Sequence, residues 1–140
     1  MRHGLREEIL EACNKCIVSC EECVKLARRC LGTCESPEAS ACKEMVEKYI
    51  DHCKMCIEAC RECIETCNEG IKLAESDEEA HFLQKCVEAC GDCITACQTS
   101  IDSCSIQVNC TQATKESIEL CNECISACDE CIEHLGIKGL

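Results

Sequence analysis

Aromatic residues are nearly missing from this chain of 140 residues, which has one Phe, one Tyr and no Trp. A chain of this length is long enough for one domain with one core. Large aromatic side chains usually dominate the packing energy of such a core. An ordinary aromatic core is therefore excluded, and another type of residue must fill the interior.

An excess of basic charge is also missing, because the formal net charge is −13. Nucleic acids and anionic membranes both require a basic surface on the protein that binds them. The composition therefore argues against both partners and indicates a well-solvated acidic surface.

Long apolar runs are missing as well. No stretch approaches the roughly 20 apolar residues that a membrane-spanning helix needs. The first eight residues contain no apolar segment typical of an export signal, and an amphipathic pattern begins almost at once. We therefore expect a cytoplasmic protein that does not enter a membrane.

What the chain has instead is cysteine, at 22 of its 140 residues. This share is well above the roughly 8–10% that indicates a special scaffold. Thiols stay reduced in the cytosol, where cysteine-rich patterns indicate metal or redox chemistry before disulfides.

The spacing of these cysteines is that of an α-helix. Between Cys53 and Cys67, five cysteines follow one another at steps of 3, 4, 3 and 4 residues. A helix turns by about 100° per residue, so these steps keep all five thiols on one narrow face. Cysteine thus occupies the positions at which a coiled coil would place leucine.

We call such a row of helically spaced cysteines a thiol ladder, and the chain contains four of them. The ladders begin at Cys13, Cys53, Cys86 and Cys121, and the third ladder is truncated. A parallel stripe of Ile, Val and Leu at heptad spacing flanks each ladder and is expected to seal neighbouring helices against each other. The pattern predicts one all-α domain over residues 1–140, an antiparallel up-down-up-down four-helix bundle with a cysteine-lined core.

The predicted helices cover about residues 5–32, 37–71, 77–104 and 110–135. Gly32 is expected to end the first helix, and Ser36-Pro37 to begin the second. Ser76 and Glu79 have the spacing of a capping box at the start of the third.

Antiparallel stacking of these helices sorts the two ends of the bundle. One end collects aliphatic and aromatic residues without cysteine: Leu5, Ile9, Phe82, Leu83 and Leu135. The other end collects soft or polar side chains: Cys30, Cys34, Cys42, Met45, Tyr49, Cys104, Cys110, Thr114 and Ser117. We expect the first end to be closed by hydrocarbon and the second to be the mouth, where Tyr49 packs and forms a hydrogen bond.

So many inward thiols need a purpose. Cysteine could act as a small hydrophobe or form a disulfide framework, although residues three or four apart on one helix fit disulfide geometry poorly. Metal binding explains the ladders better. Buried thiolates require compensating charge, and a monovalent soft cation supplies one positive charge per thiolate, whereas zinc held by four thiolates leaves two negative charges uncompensated.

Soft thiolate ligands select Cu(I), so we expect many Cu(I) ions, on the order of 20 per chain if each cysteine contributes one. Zinc and iron–sulfur clusters remain alternatives, the latter in an electron-transfer or storage protein. A redox-buffering thiol protein is a third possibility. No catalytic constellation or phosphate-binding loop is present, so an enzyme is not expected.

With these ladders and its aliphatic end, the chain resembles the cytosolic branch of the bacterial copper storage proteins over nearly its whole length. The resemblance implies Cu(I) stored along the bundle axis, entry at one open end, homotetramers, and copper-carrying proteins as donors or acceptors. Such proteins typically offer His and Met at the mouth. Here Met45 faces inward and His52 lies at the edge of the thiol face, whereas His3, His81 and His134 fall off these faces. His81 and His134 are expected in solvent.

The predicted metal ligands are therefore the ladder cysteines, those at the mouth, and the two soft or edge side chains beside them. They are Cys13, Cys16, Cys20, Cys23, Cys30, Cys34, Cys42, Met45, His52, Cys53, Cys56, Cys60, Cys63, Cys67, Cys86, Cys90, Cys93, Cys97, Cys104, Cys110, Cys121, Cys124, Cys128 and Cys131.

Overall fold

Four long helices make up the computed structural model, which describes residues 2–34, 39–106 and 110–138 and, within them, leaves out the side chains of residues 34, 39–41, 137 and 138. The helices are α1 (His3–Cys34), α2 (Ala39–Lys72), α3 (Asp77–Ser105) and α4 (Cys110–Lys138). No strand occurs within these ranges. The all-α prediction is confirmed.

The helices stand at the corners of a square. α1 packs against α2 and α4, and α3 packs against the same two, while the backbones of diagonal helices do not approach each other. Consecutive helices are joined by short connections, so each runs antiparallel to the one before it. This is the predicted up-down-up-down bundle.

Gly32 was expected to end the first helix, but the helix continues past it. α1 runs through Gly32 to Cys34, and α4 runs through Gly136 to Lys138. A glycine inside a helix costs only about 1 kcal/mol, which the packing of so long a helix outweighs. The expected start at Ser36-Pro37 lies outside the described residues.

The predicted capping box is confirmed for Ser76 but not for the Glu79 side chain. The Ser76 hydroxyl accepts a hydrogen bond from the Glu79 backbone N–H at 3.1 Å, as predicted. The Glu79 side chain does not reach back, however. It is buried, and its Oε2 lies 3.9 Å from Nη2 of Arg6 on α1. Glu79 therefore joins two helices at the hydrocarbon end.

The hydrocarbon end is formed as expected, with Leu5, Ile9, Leu83 and Leu135 all buried. His134 was expected in solvent, and this is wrong. Its ring stacks on that of Phe82 with the centroids 4.5 Å apart, and only 10% of its side chain is exposed. Stacking two flat rings covers apolar surface on both.

The aliphatic stripes lie between the helices. Ile17, Val24 and Ile57 are buried, and further members of the stripes are partly buried against the core: Ile64, Ile71, Val87, Ile94, Ile101, Ile118, Ile125 and Ile132. These seams leave the bundle axis to the thiols.

Candidate metal centre

The thiol ladders face the bundle axis, as their spacing predicts. Each ladder cysteine has a relative exposure of 0%, so the sulfur atoms form a continuous buried column. Its members are Cys13, Cys16, Cys20, Cys23, Cys53, Cys56, Cys60, Cys63, Cys67, Cys86, Cys90, Cys93, Cys97, Cys121, Cys124, Cys128 and Cys131. We call this column the thiol core, and all of these cysteines are free.

In the middle of the thiol core the sulfurs form layers, with one thiol from each helix. Cys16 shows the arrangement most clearly, because its sulfur contacts a thiol from each of the other three helices. The Sγ–Sγ distances are 3.6 Å to Cys60, 3.8 Å to Cys90 and 3.5 Å to Cys124. The contact with Cys90 crosses the diagonal of the bundle, so the sulfurs meet at its axis.

The layers on either side repeat this pattern. Cys20 lies 3.6 Å from Cys56 and 3.8 Å from Cys93. On the other side, Cys13 lies 3.8 Å from Cys63 and 4.0 Å from Cys86. Successive layers are one helical turn apart, about 5 Å.

Sets of four thiols come close enough to hold one ion. In each set the four sulfur atoms all lie within 4.8 Å of one another. Neighbouring sets share members. Cys16, for example, belongs both to the set with Cys60, Cys90 and Cys124 and to a set that includes Cys128. The sets are therefore a continuous lattice rather than separate sites.

These distances suit single ions. A metal–thiolate bond is about 2.3 Å long for zinc, so four sulfurs arranged tetrahedrally around an ion of that size are about 3.8 Å apart. In the thiol core the closest sulfurs are 3.5 Å apart, and all four sulfurs of a set lie within 4.8 Å of one another. A four-iron cube would have to push the same sulfurs well apart, because it places its own iron and sulfide atoms between them.

The thiols also tune one another's acidity. Hydrogen bonds from Cys128 and Cys13 lower the pKa of Cys63 to about 6, and hydrogen bonds from Cys23 and Cys97 lower the pKa of Cys53 to about 5. In contrast, hydrogen bonds with Cys121 and Cys124 raise the pKa of Cys20. Thiolates stabilised by neighbouring thiols are the form that binds metal.

At the Met45 end, hydroxyl groups replace thiols. The Tyr49 hydroxyl donates a hydrogen bond to Ser100 Oγ at 2.9 Å, and Ser100 Oγ donates to the Ala113 carbonyl at 3.0 Å. Tyr49 thus packs and forms a hydrogen bond near this end, as expected. Sequence reasoning missed Ser100, although it follows Cys97 by three residues and precedes Cys104 by four, which is the ladder spacing.

Some cysteines at this end are oxidised, which the sequence analysis did not predict. Cys104 and Cys110 form a disulfide, and Cys42 is also disulfide-bonded. Cys30 is free and buried. A disulfide can join Cys104 to Cys110 because the two face each other across the connection between α3 and α4. Cys42, Cys104 and Cys110 could bind metal only after reduction.

The remaining predicted ligands lie at the edge of this end. Met45 is half-buried and packs against the core. His52 is half-buried, and its Nε2 atom is enclosed without a hydrogen-bond partner. The side chain of Cys34 lies outside the described residues. His3 and His81 are exposed, away from the thiol core.

Comparison with known proteins finds no family model, no curated protein and no solved structure that matches this chain. Over the described residues, no helix combines the length and the apolar character needed to cross a membrane. The chain is a cysteine-rich four-helix bundle whose core can bind several metal ions.

Proposed function

We propose that this protein stores and sequesters many Cu(I) ions on the thiolates of its core. One observation carries the proposal: buried four-sulfur sets share members from layer to layer. A thiolate that belongs to two sets can bridge two ions, so adjacent ions share ligands. Such sharing allows the number of ions to approach the number of sulfurs, which suits storage.

Charge balance favours a monovalent ion. A buried thiol that exchanges its proton for one Cu(I) keeps its net charge, so filling the core adds no uncompensated charge. A Zn²⁺ ion held by the four thiolates of one layer would instead leave two negative charges uncompensated. Soft thiolate ligands favour Cu(I) on chemical grounds as well.

The resemblance to cytosolic copper storage proteins supports the wider proposal. This wider proposal is that the protein is a homotetramer in the cytoplasm, exchanges Cu(I) with copper-carrying proteins and catalyses no reaction. Entry is proposed at the end near Met45, since soft ligands lie there and hydrocarbon fills the other end.

An anaerobic titration of the fully reduced protein tests this function. Cu(I) is added in the presence of a competing chromogenic chelator, and bound copper is measured by metal analysis. We expect an uptake close to one ion per thiol, on the order of 20. Uptake of no more than a trace would end the proposal. A brown protein after incubation with iron and sulfide, without copper uptake, would favour the iron–sulfur alternative.

A variant with one thiol layer removed tests whether the core itself holds the ions. Replacing Cys16, Cys60, Cys90 and Cys124 by Ser should lower the capacity by about four ions, if each thiol contributes one. An unchanged capacity would show that the copper is bound elsewhere.

A matched control keeps every sulfur and changes only the seams. The substitutions Ile64→Val, Ile94→Val, Ile118→Val and Ile132→Val each remove one methylene from a partly buried side chain. The capacity of this control should equal that of the wild type, even if its stability is lower.

A further inference from the structure

A layer without sulfur interrupts the thiol ladders on all four helices. Cys23 on α1 lies opposite Cys53 on α2, with their sulfur atoms 3.9 Å apart. One helical turn further along, the antiparallel register of α1 and α2 places Ala27 opposite Tyr49. The hydrogen bond from Tyr49 places Ser100 in the same layer. Thr114, which follows the Ala113 carbonyl bound by Ser100, completes it. We call these four residues the Tyr49 layer: Ala27, Tyr49, Ser100 and Thr114.

Tyr49 fills the Tyr49 layer. It is the only large side chain among the four, and its neighbours are small enough to leave room for its ring. All four residues are buried, with Tyr49 at 0% exposure. The ring is fixed by its hydrogen bond to Ser100, and burial raises the pKa of Tyr49, so its hydroxyl stays neutral.

Sulfur lies on both sides of the Tyr49 layer. On the inner side, Cys23, Cys53 and Cys97 begin the thiol core. On the outer side, Cys104 Sγ and Cys110 Sγ lie 3.8 and 3.9 Å from the Thr114 hydroxyl. With the buried Cys30, these two form an outer cysteine cluster: Cys30, Cys104 and Cys110.

The gap between the two groups is too wide for an ion to pass directly. An ion exchanged between thiolates must be bound to both for a moment, which limits the sulfurs to about 4.6 Å apart, twice a metal–sulfur bond of about 2.3 Å. Within the core, neighbouring sulfurs approach one another to as little as 3.5 Å. From Cys23 to Cys30 the α1 helix rises about 10 Å.

We propose that Tyr49 is a gate between the outer cysteine cluster and the thiol core. This inference rests on the proposed storage of Cu(I). In the closed position the ring separates the two groups of thiols. When the hydrogen bond to Ser100 breaks and the ring moves aside, an ion can pass from one group to the other. Tyr49 is a positioning residue that sets the rate of loading and unloading but not the capacity.

Uptake kinetics of the fully reduced protein test the gate. Cu(I) is supplied as a coloured chelator complex under anaerobic conditions, and loss of the colour is followed by stopped flow. Tyr49→Ala removes the ring and should accelerate uptake at least tenfold. Tyr49→Phe removes the hydroxyl and keeps the ring, and Ser100→Ala removes its acceptor together with the Ser100 bond to the Ala113 carbonyl. The usual strength of the Tyr49–Ser100 hydrogen bond corresponds to an acceleration of about two- to twelvefold. The total amount of copper bound when uptake is complete should equal that of the wild type in all three variants.

Leu83→Ala is the matched control, because it removes an equally buried side chain from the hydrocarbon end. Its uptake rate should equal that of the wild type. If Leu83→Ala accelerates uptake as much as Tyr49→Ala does, ions enter at the other end and the gate is refuted.

Other outcomes are equally decisive. If Tyr49→Ala loses its helical circular dichroism, the uptake rates of Tyr49→Phe and Ser100→Ala decide whether Tyr49 is a gate. Rates within twofold of the wild type in every folded variant of this layer overturn the gate while leaving copper storage intact. A wild-type protein that takes up no copper at all instead overturns the storage function on which the gate rests.

Discussion

The two ends of the thiol core are closed in different ways. At one end, Ile9, Leu83 and Leu135 exclude water with hydrocarbon alone. At the other, the Tyr49 layer excludes water with one aromatic ring held by a hydrogen bond to Ser100. The first closure depends on packing that changes little without a large rearrangement. The second depends on the position of one side chain, whose hydroxyl is held by Ser100.

What lies beyond each closure differs too. Beyond the hydrocarbon end, the described residues include an ion pair between Arg6 and Glu79 but no cysteine. Beyond the Tyr49 layer lies the outer cysteine cluster. Once the disulfide between Cys104 and Cys110 is reduced, a soft ion finds thiol ligands outside only one of the two closures, which agrees with the proposed direction of entry.

Loading with copper should produce the largest effect. The unloaded bundle is expected to fold, because its aliphatic seams do not depend on metal. Loading should then raise the free energy of unfolding by more than about 4 kcal/mol, the value for one site at a ligand concentration of 1,000 Kd. Anaerobic denaturation followed by circular dichroism measures both states. An unloaded protein without helical signal would show that neither closure exists until metal binds.

A cavity at the hydrocarbon end should have the next largest effect. Leu83→Ala removes a fully buried side chain and should lower the free energy of unfolding by about 2–5 kcal/mol. Leu73→Ala is the control, since Leu73 is 45% exposed, and its effect should stay within about 0.5 kcal/mol. Equal effects in chemical denaturation would mean that this end is not a packed closure.

Loss of the Ser100 hydroxyl should cost less. Ser100→Ala leaves the buried Tyr49 hydroxyl without its acceptor, so the expected loss of unfolding free energy is about 1–3 kcal/mol. Thr99→Ala changes an exposed hydroxyl on the adjacent residue and should stay within about 0.5 kcal/mol. If denaturant titration cannot distinguish these two variants, the hydrogen bond does not hold the ring.

The smallest effect is expected on the surface between the two ends. Lys85 Nζ lies 2.8 Å from Glu130 Oε2, but both side chains are about half exposed. Lys85→Ala should therefore lower the free energy of unfolding by less than about 1 kcal/mol. A larger loss in the same assay would mean that surface charge, rather than the closures and seams, holds α3 against α4.

Much of this molecule was predictable from residue spacing. The steps of three and four between Cys53 and Cys67 predicted both the helix and the face it buries. The cap at Ser76 and the burial of Leu83 followed from equally local patterns. Each of these features depends on residues within one or two turns of the same helix.

The errors have a different origin. Sequence reasoning missed the disulfide between Cys104 and Cys110, missed Ser100 as the partner of Tyr49, and expected His134 in solvent although it stacks on Phe82. Each of these features joins two helices. Local spacing contains no information about which residue of a neighbouring helix lies opposite.

The sequence by itself determined that four helices each turn a row of thiols inward, because helical periodicity is a property of one segment. Only the tertiary structure decided how those rows align. The register between helices is set by side chains packing across the seams and by the short connections. That register places Ala27, Tyr49, Ser100 and Thr114 at one level, which turns four separate interruptions of the ladders into one closed layer.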